Sequence, residues 1–267
     1  MKKKIILIVG ARSDIAQAIA RVYAEENLTI LLAARNSENL DIIAQDLIIR
    51  GADSVKVLEY EATSLKNLPK FVNKIYPLPD IVVCAVGYLG VQKEAQQSID
   101  VAQNVIDINF TGPCLLFEQL AEKMIKRGSG TLVGISSVAG DRGRASNYFY
   151  GSAKAGFSTY LSGLRQRACK AGVHVLTVKP GFVRTSMTAD INLPNVLTTT
   201  PEIVAQYIVN ACNSNTCIVY APWYWRWIML IIRLIPEKLF HLLANKYQVL
   251  KLVQKKWEAL YFPIRFY

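Results

Sequence analysis

The sequence predicts an α/β protein built on a parallel, doubly wound sheet, followed by a helical, aromatic and basic C-terminal extension. Three observations support this prediction. Short apolar runs alternate with longer helical patterns, which is typical of parallel sheets covered by helices. The chain has 267 residues, 52% of them hydrophobic, which is enough to bury one large core. The last part of the chain differs in composition, since it holds all four tryptophans.

The elements follow one another in a regular order along the body. We predict strands at the apolar runs 4–10, 28–34, 55–58, 81–86, 131–136, 173–178 and 216–220. Helical stretches separate them at 14–26, 37–50, 96–126, 150–171 and 201–213. No repeat or low-complexity tract interrupts this alternation. We therefore predict one domain over 1–221 and an extension over 222–267.

The first strand leads through Gly10 into the first helix. A strand, a tight turn and a helix N-terminus together form an anion site that suits a dinucleotide pyrophosphate. The turn has Asp14 and Ala16 at the later positions where such a motif usually has glycine. Taken alone, the motif is equally compatible with an ordinary turn between a strand and a helix.

A proton-transfer site is predicted between Ser137 and Lys154. Tyr150 and Lys154 stand four residues apart, so on a helix they share one face. A nearby ammonium group lowers the pKa of a tyrosine from about 10, which prepares the phenol for acid–base work. Ser137 ends the apolar run that begins at Thr131, so its hydroxyl can hold a carbonyl oxygen beside the phenol. The same spacing also occurs by chance on solvated helices.

Five ordered motifs make the chain resemble the short-chain dehydrogenase/reductase family over residues 1 to about 220. They are Gly10-x-x-x-Asp14-Ile15-Ala16, Ile108-Asn109-Phe-Thr-Gly112, Gly134-Ile-Ser-Ser137-Val-Ala-Gly140, Tyr150-x-x-x-Lys154 and Lys179-Pro180-Gly181-Phe-Val183-Arg-Thr185. The resemblance implies a Rossmann-type fold and a nicotinamide cofactor. It also implies a catalytic tetrad of Asn109, Ser137, Tyr150 and Lys154, in which Asn109 supports a water relay to the lysine.

The resemblance further implies the residues that bind the cofactor. These are Gly10, Arg12, Ser13, Asp14, Ile15, Arg35, Glu61, Ala62, Ala85, Gly87, Tyr150, Lys154, Pro180, Gly181, Val183 and Thr185. Glu61 and Ala62 would flank the adenine, and the segment 180–185 would grip the nicotinamide carboxamide. The chain departs from the family at Cys84-Ala85-Val86-Gly87, where the family has Asn-Asn-Ala-Gly in an element that stabilises the sheet and lines the adenosine side.

The end of the second strand favours NADP(H) over NAD(H). This strand ends in Ala34-Arg35 and lacks the carboxylate that binds the ribose 2′-hydroxyl in NAD enzymes. Arg35 and Arg12 can instead converge on a 2′-phosphate through charge-assisted hydrogen bonds. The alternative is that both arginines are solvated surface charges.

Cysteine and histidine usage argues against a metal site. The five cysteines show no Cys-x-x-Cys spacing and the two histidines lie far apart, so we predict no metal. An odd number of cysteines in a chain of this size suggests reduced thiols in the cytoplasm. The basic start at Lys2-Lys3-Lys4 is followed by too short an apolar run for a signal peptide.

The extension 222–267 combines aromatic, aliphatic and basic residues. It carries eight Lys or Arg against two Glu, a net +6 of the chain's +11. Arg226 and Arg233 enclose an apolar run of only six residues, whereas about 20 are needed to span a bilayer. One helical face is apolar after Pro236, through Leu239, Leu243, Leu250, Val253, Trp257 and Leu260, while Lys238, Lys246, Lys251, Lys255 and Lys256 lie mostly elsewhere.

Such a segment is typical of a peripheral anchor on an anionic membrane surface. In this interpretation Trp223, Trp225 and Trp227 lie at headgroup level. The alternative is that the apolar faces pack on the body or form a homo-oligomer interface. Nucleic acid is a poor partner, because the positive charge is mixed with bulky aliphatic residues rather than gathered on a polar face.

The leading functional hypothesis is an NADPH-dependent reductase that converts a hydrophobic or lipid-linked ketone to a secondary alcohol at the inner face of a membrane. The extension is similar to the tails of membrane-associated family members that reduce lipid-linked keto-sugars or 3-ketosphinganine. One alternative is a soluble carbonyl reductase or alcohol dehydrogenase of small metabolites, with the tail used for oligomerisation. The other is a non-catalytic NADP-binding protein. The segment 186–200 is predicted to be a mobile lid over the substrate.

Overall fold

Seven parallel strands form the central sheet of the computed structural model, which describes residues 3–242. The strands in this part of the chain are β1 (Ile5–Val9), β2 (Thr29–Ala34), β3 (Ser54–Glu59), β4 (Ile81–Cys84), β5 (Gly130–Ile135), β6 (Val173–Pro180), β7 (Phe182–Val183), β8 (Thr198–Thr199) and β9 (Ile218–Ala221). The sheet has the order β3-β2-β1-β4-β5-β6-β9, and β7 pairs separately with β8. The predicted doubly wound Rossmann-type fold is therefore confirmed.

Helices cover both faces of this sheet. The helices of residues 3–242 are α1 (Asp14–Glu25), α2 (Asp41–Ile49), α3 (Leu68–Lys74), α4 (Gln92–Gln97), α5 (Ile99–Ile106), α6 (Gly112–Arg127), α7 (Tyr148–Cys169), α8 (Pro201–Asn213) and α9 (Trp225–Leu234). On one face α1 packs against α2 and α8. On the other, α6 packs against α3 and α7. The helical character predicted for the C-terminal extension is confirmed by α9, which ends before Pro236, whereas the amphipathic helix was predicted after that residue.

The sequence of β1 explains why the sheet is buried on both faces. All five residues are apolar and buried. Because successive side chains of a strand point to opposite faces, Ile6 and Ile8 enter one apolar cluster, whereas Ile5, Leu7 and Val9 enter the other. A continuous apolar run of this kind is typical of a central strand in a parallel sheet.

The strand order reverses between β1 and β4. The chain runs outward from β1 through β2 to β3, and then returns to place β4 on the other side of β1. In open α/β sheets the crevice at such a reversal, outside the carboxyl ends of the strands, is where ligands bind. The fold thus assigns the functional site to this edge of the sheet.

The helical region predicted at 96–126 is interrupted in the structure. Ser98 has an extended backbone between α4 and α5, and its hydroxyl accepts a hydrogen bond from the N–H of Val101. A π-helical turn at Asp107–Thr111 then links α5 to α6. Such turns are rare and occur often at functional sites. The short helix α3 was not predicted.

The chain divides into two compact units, the first ending at Arg226 and the second beginning at Trp227. The sequence-based boundary after Ala221 lies slightly earlier. The difference arises because Trp225, expected in the extension, is buried in the first unit. No helix among residues 3–242 is long and apolar enough to cross a membrane. The apolar face predicted from Leu243 to Leu260 lies outside the described residues.

Candidate active site

A cleft of about 430 Å³ opens at the carboxyl ends of the central strands. All residues predicted to bind the cofactor line it, which are Gly10, Arg12, Ser13, Asp14, Ile15, Arg35, Glu61, Ala62, Ala85, Gly87, Tyr150, Lys154, Pro180, Gly181, Val183 and Thr185. Ser137 also lines the cleft. The structure therefore brings together residues that are distant in the sequence, although their functions remain predictions.

Gly10 forms the turn from β1 into α1. Its φ angle is +82°, and a Cβ added there would lie 2.7 Å from the backbone nitrogen of Val86. Only glycine combines this conformation with so close an approach. The turn directs the N-terminus of α1 at the cleft, where backbone N–H groups and the helix dipole favour an anion.

Asp14 joins two walls of the cleft. Its carboxylate accepts hydrogen bonds from the backbone N–H of Ser186 at 2.8 Å and from the hydroxyl of Ser186 at 2.9 Å. This aspartate stands at a position where the sequence motif led us to expect glycine. Its charge is therefore engaged by the segment that follows Thr185, across the cleft from the turn.

Arg35 follows β2, on the other side of β1 from the strand β5 that leads to Ser137. Its guanidinium is 3.7 Å from the carboxylate of Glu61, and its side chain is 61% exposed. Arg12 is also exposed and lines the same cleft. Two guanidinium groups at the rim provide positive charge where β2 ends without a carboxylate.

Sequence reasoning missed Glu59, which shapes the loop carrying Arg35. Its carboxylate accepts hydrogen bonds from the backbone N–H groups of Ser37, at 2.8 Å, and Asn36, at 3.1 Å. These bonds, chiefly that from Ser37, hold the pKa of Glu59 below its ordinary value. The available signal was an acidic residue at the end of β3, paired in register with Ala34.

Tyr150 and Lys154 lie one turn apart near the start of α7. The Lys154 Nζ is 5.8 Å from the centre of the Tyr150 ring. It donates hydrogen bonds to the carbonyl oxygens of Ile135, at 3.0 Å, and Val86, at 3.4 Å. The ends of β4 and β5 thus hold the ammonium group in place beneath the phenol.

Ser137 lies at the N-terminus of a short 3-10 turn after β5. Its hydroxyl oxygen accepts a hydrogen bond from the backbone N–H of Ala139 at 3.1 Å. A side-chain hydrogen bond also connects Ser137 with Tyr150. The serine and the tyrosine can therefore contact the same oxygen atom in the cleft.

Asn109 is fully buried in the π-helical turn and does not line the cleft. Its Nδ2 donates to the carbonyl oxygens of Tyr88, at 2.7 Å, and Val105, at 2.8 Å, while its Oδ1 accepts from the N–H of Tyr88 at 3.2 Å. Both amide hydrogens are thus engaged, and only an acceptor lone pair is left for a relay. The visible role of this side chain is to fix the backbone at Tyr88.

The pKa of Tyr150 differs from the sequence-based expectation. Desolvation raises it above the ordinary tyrosine value, although the hydrogen bond with Ser137 acts in the opposite direction. The lowering of the Tyr150 pKa that the sequence led us to expect is therefore not found. Burial lowers the pKa of Lys154 to about 8, against a weaker upward effect of Cys84. At neutral pH both the phenol and the lysine carry their protons.

The departure from the family at Cys84 places a thiol close to Lys154. Cys84 is buried at the end of β4, and burial raises its pKa to about 11, so it is a neutral thiol at neutral pH. Gly87, three residues later, lies close to both Asn109 and Lys154. A Cβ there would be 3.4 Å from Asn109 Oδ1 and 3.6 Å from Lys154 Nζ.

The segment after β6 forms the remaining wall. The N–H of Gly181 donates to the carbonyl oxygen of Ala221 at 3.0 Å, and the N–H of Arg184 donates to that of Thr199 at 2.9 Å. Thr185 and Thr188 cap one short turn reciprocally. Residues 186–200 were predicted only to form a lid, but Ser186, Met187 and Thr188 line the cleft itself. The other lining residues that were not predicted are Ala34, Tyr60, Val86, Tyr88, Ile108, Ile135 and Ser136.

Trp225 contradicts the prediction that three tryptophans share a membrane surface. Its side chain is 2% exposed, whereas Trp223 and Trp227 are 62% and 56% exposed. Trp225 packs edge-on against Phe182, with ring centres 5.0 Å apart. The indole is therefore packed inside the first compact unit rather than on an outer apolar face.

The described part of the chain contains no cluster of metal ligands. Within residues 3–242, no group of three or more His, Cys, Asp or Glu side chains could hold a metal ion. All five cysteines are unpaired.

Comparison with known proteins places the chain among oxidoreductases. Residues 4–195 match the sequence profile of the family described as short chain dehydrogenase. An uncharacterized oxidoreductase of Mycobacterium tuberculosis is 36% identical over 236 residues, which cover 87% of this chain and 94% of the relative. An uncharacterized oxidoreductase of Staphylococcus aureus is 31% identical over 214 residues, covering 79% of this chain and 91% of the relative.

Solved structures share the fold at lower sequence identity. A short-chain dehydrogenase from Sphingobium yanoikuyae in complex with NADPH has a TM-score of 0.76 and 21% identity, covering 88% of this chain and 97% of its own. A bulky-bulky ketone specific alcohol dehydrogenase from Comamonas testosteroni also has a TM-score of 0.76 and 21% identity, covering 89% and 96%.

Proposed function

We propose that this chain, which belongs to the short-chain dehydrogenase family, reduces a ketone to a secondary alcohol with NADPH as reductant. As a member of that family it is an oxidoreductase that uses a nicotinamide cofactor. The observation that carries the proposal is the meeting of Tyr150, Ser137 and Lys154 in one cleft with the Gly10 turn. A phenol, a hydroxyl and an ammonium group there match the needs of carbonyl protonation.

The cleft fits a dinucleotide that carries a 2′-phosphate. Gly10 leaves room for close backbone approach, and the N-terminus of α1 favours the pyrophosphate. Arg35 and Arg12 supply positive charge at the end of the cleft where NAD enzymes have a carboxylate. When bound, NADPH supplies the two electrons and the hydrogen that reduce the carbonyl carbon.

Tyr150 donates the proton that completes the alcohol. Its raised pKa keeps the phenol protonated at neutral pH, so the proton is available for the carbonyl oxygen. The O–H bond of the tyrosine breaks as the O–H bond of the product forms. Lys154, with a pKa of about 8, is mostly protonated at neutral pH, and its positive charge favours the phenolate left behind.

Ser137 and Asn109 have different supporting roles. The Ser137 hydroxyl binds the carbonyl oxygen of the substrate and holds it beside the phenol, because it lines the cleft and hydrogen-bonds with Tyr150. Asn109 acts from behind the cleft, since its amide fixes the Tyr88 backbone. Any contribution to a water relay toward Lys154 uses the remaining lone pair of its oxygen.

We assign the substrate to the hydrophobic or lipid-linked ketones. The support comes from the segment 186–200, which begins at the cleft and has exposed apolar side chains. Met187 lines the cleft and is partly exposed, and Ile191 and Val196 expose much of their surface. A large apolar substrate would bury these side chains, and burying apolar surface is favourable.

The helix α9 supports a peripheral contact with an anionic membrane from the cytoplasmic side. Trp227, Leu230, Ile231 and Leu234 recur at helical spacing and are all exposed. Basic side chains at Arg226 and Arg233 border this face. An exposed apolar face bordered by basic residues is typical of helices that lie in the membrane interface.

A second function has its own support. Trp225 is buried in the catalytic body, so at least this part of the predicted anchor serves internal packing. This observation favours a reductase of small metabolites, with the apolar surface of α9 used for packing between copies of the chain. The two hypotheses share the same chemistry and differ in substrate size and in the partner of α9.

The activity is tested by following NADPH consumption with a bulky hydrophobic ketone and a small polar ketone of similar electrophilicity. The proposal expects turnover of both at saturation but a kcat/KM at least about tenfold higher for the bulky ketone, because its apolar surface adds binding energy. A preference for the small ketone supports the second function. No NADPH consumption with either ketone contradicts the proposed reaction.

The membrane partner is tested by co-sedimentation with anionic and with neutral vesicles. Full-length protein should pellet with anionic vesicles, and salt should release part of it because surface charge attraction is screened. Replacing Trp227 and Leu230 by Ser should weaken binding, whereas the same change at Ile42, an exposed residue on α2, should not. Recovery of the full-length protein in the supernatant with both vesicle types contradicts the membrane assignment.

A further inference from the structure

Trp225 fills the space over Gly181. A Cβ added at Gly181 would lie 1.8 Å from the indole Nε1, 2.1 Å from Cε2 and 2.3 Å from Cδ1. No side chain could occupy that position while the indole is present. Trp225 and Gly181 therefore form a matched pair, in which the ring takes the volume that the glycine leaves empty.

Neighbouring contacts fix the indole in this position. The ring meets Phe182 edge-on, with centres 5.0 Å apart and planes at 84°. On the backbone side, the N–H of Gly181 donates to Ala221, and the N–H of Trp225 donates to the carbonyl oxygen of Pro222 at 3.2 Å. A tight turn from β9 thus delivers the tryptophan onto the segment that follows β6.

The contact depends on shape rather than on a polar bond. The indole Nε1 is buried and has no hydrogen-bond partner among the described residues. A buried donor without a partner opposes folding, so the packing of the ring must outweigh that cost. A substitution that keeps an aromatic ring but lacks the N–H should therefore preserve the contact.

We propose that Trp225 is a positioning residue for the segment 180–185. This inference rests on the proposed function and on the family resemblance, which implies that this segment grips the nicotinamide carboxamide of the cofactor. The indole presses on Gly181 and Phe182, and so holds the backbone that presents Val183 and Thr185 to the cleft. Through this contact the chain after β9 determines the geometry of cofactor binding.

The neighbouring tryptophan provides a matched control. Trp223 belongs to the same turn and differs from Trp225 by two positions, but its side chain is mostly exposed. Replacing Trp223 by Ala also removes one tryptophan side chain, but it leaves the contact between Trp225 and Gly181 intact. A difference between the two alanine variants therefore reports the contact and not the loss of a tryptophan.

The first experiment measures the Kd of NADPH, by its fluorescence enhancement, and the steady-state constants of each variant. Trp225→Leu and Trp225→Ala should raise the Kd and KM for NADPH about tenfold or more, because small displacements of a binding segment are costly. Trp225→Phe and Trp223→Ala should stay within about twofold of the wild type. Wild-type NADPH binding by Trp225→Leu overturns the inference. A loss of NADPH binding in Trp225→Phe as large as that in Trp225→Leu also overturns it, because it would indicate a role for the indole N–H.

A second experiment tests the pair directly. Gly181→Ala should damage NADPH binding in the wild type, since its methyl group would overlap the indole. In the Trp225→Ala background the methyl group has room, so Gly181→Ala should then cost little. Additive effects of the two substitutions overturn the inference, because independent sites add.

The two experiments distinguish failure of this inference from failure of the proposed function. A wild-type protein that binds neither NADPH nor NADH removes the proposed function and the inference together. A wild-type protein that binds NADPH, combined with unchanged binding in the Trp225 variants, overturns the inference alone. Thermal unfolding of each variant without NADPH shows whether reduced binding reflects the segment or general loss of folding, because bound ligand would itself stabilise the folded state.

Discussion

Replacing Arg35 by Ala gives a sharp test of cofactor selection. The guanidinium would lose its hydrogen bonds to the 2′-phosphate, and bonds to charged groups contribute about 1.5–3 kcal/mol. The structure favours the lower end of this range, because the side chain is 61% exposed and Glu61 lies 3.7 Å away. A loss of about 1.5 kcal/mol corresponds to a Kd for NADPH raised about tenfold.

The assay compares the Kd of NADPH with that of NADH in the same preparations. NADH lacks the 2′-phosphate, so its Kd should change by less than about twofold in Arg35→Ala. Arg35→Lys keeps the charge but loses the planar fork, and its Kd for NADPH should be intermediate. Glu61→Gln keeps the shape of the neighbour without its charge, so it should tighten NADPH binding slightly or leave it unchanged.

Equal weakening of both cofactors in Arg35→Ala would refute this reasoning. It would mean that Arg35 supports the loop after β2 as a whole rather than reading the 2′-phosphate. Unchanged binding of NADPH would refute it as well, because the arginine would then be a solvated surface charge.

Three further predictions concern stability. Lys154 has a folded pKa of about 8 against an ordinary value of 10.5, so between these pH values the unfolded chain binds more protons than the folded one. The free energy of unfolding should therefore rise with pH across that interval by about 3 kcal/mol relative to Lys154→Met. Urea unfolding at several pH values measures this difference. Asp141 and Lys179 form a buried ion pair, so Asp141→Asn should cost about 3 kcal/mol in the same assay, and adding Lys179→Met should restore part of it. Gly10→Ala should lower the midpoint of thermal unfolding, since its methyl group would clash at positive φ with the backbone at Val86; an unchanged midpoint would contradict the geometry.

The sequence predicts the sheet well because its signal is local. The apolar runs that became β1, β2 and β6 are bounded by turns and are continuous, as buried parallel strands must be. Boundaries between helices are harder. The break at Ser98 is capped by its own hydroxyl, which accepts from the N–H of Val101. The π-helical turn at Asp107–Thr111 instead holds Asn109, whose buried hydrogen bond to Tyr88 no pattern of nearby residues reveals.

The candidate site could be predicted as a set of residues but not as an electrostatic environment. The spacing of Tyr150 and Lys154 indicates that they are neighbours, yet the direction of the tyrosine pKa shift depends on burial in the folded protein. Trp225 escaped prediction for a similar reason. The aromatic and basic residues around Trp225 in the sequence indicate an interfacial tryptophan. Its burial, however, depends on the absence of a side chain at Gly181, in another part of the sequence.

Tyr150→Phe tests the central claim most directly. The substitution keeps the ring in place and removes only the proton that the ketone oxygen would receive. Turnover of NADPH with a ketone that the wild type reduces should fall about 10²-fold or more, since general acid catalysis contributes on that scale, while the Kd of NADPH stays within about twofold. Near-wild-type turnover in a variant that still binds NADPH would contradict the assignment of Tyr150 as the proton donor.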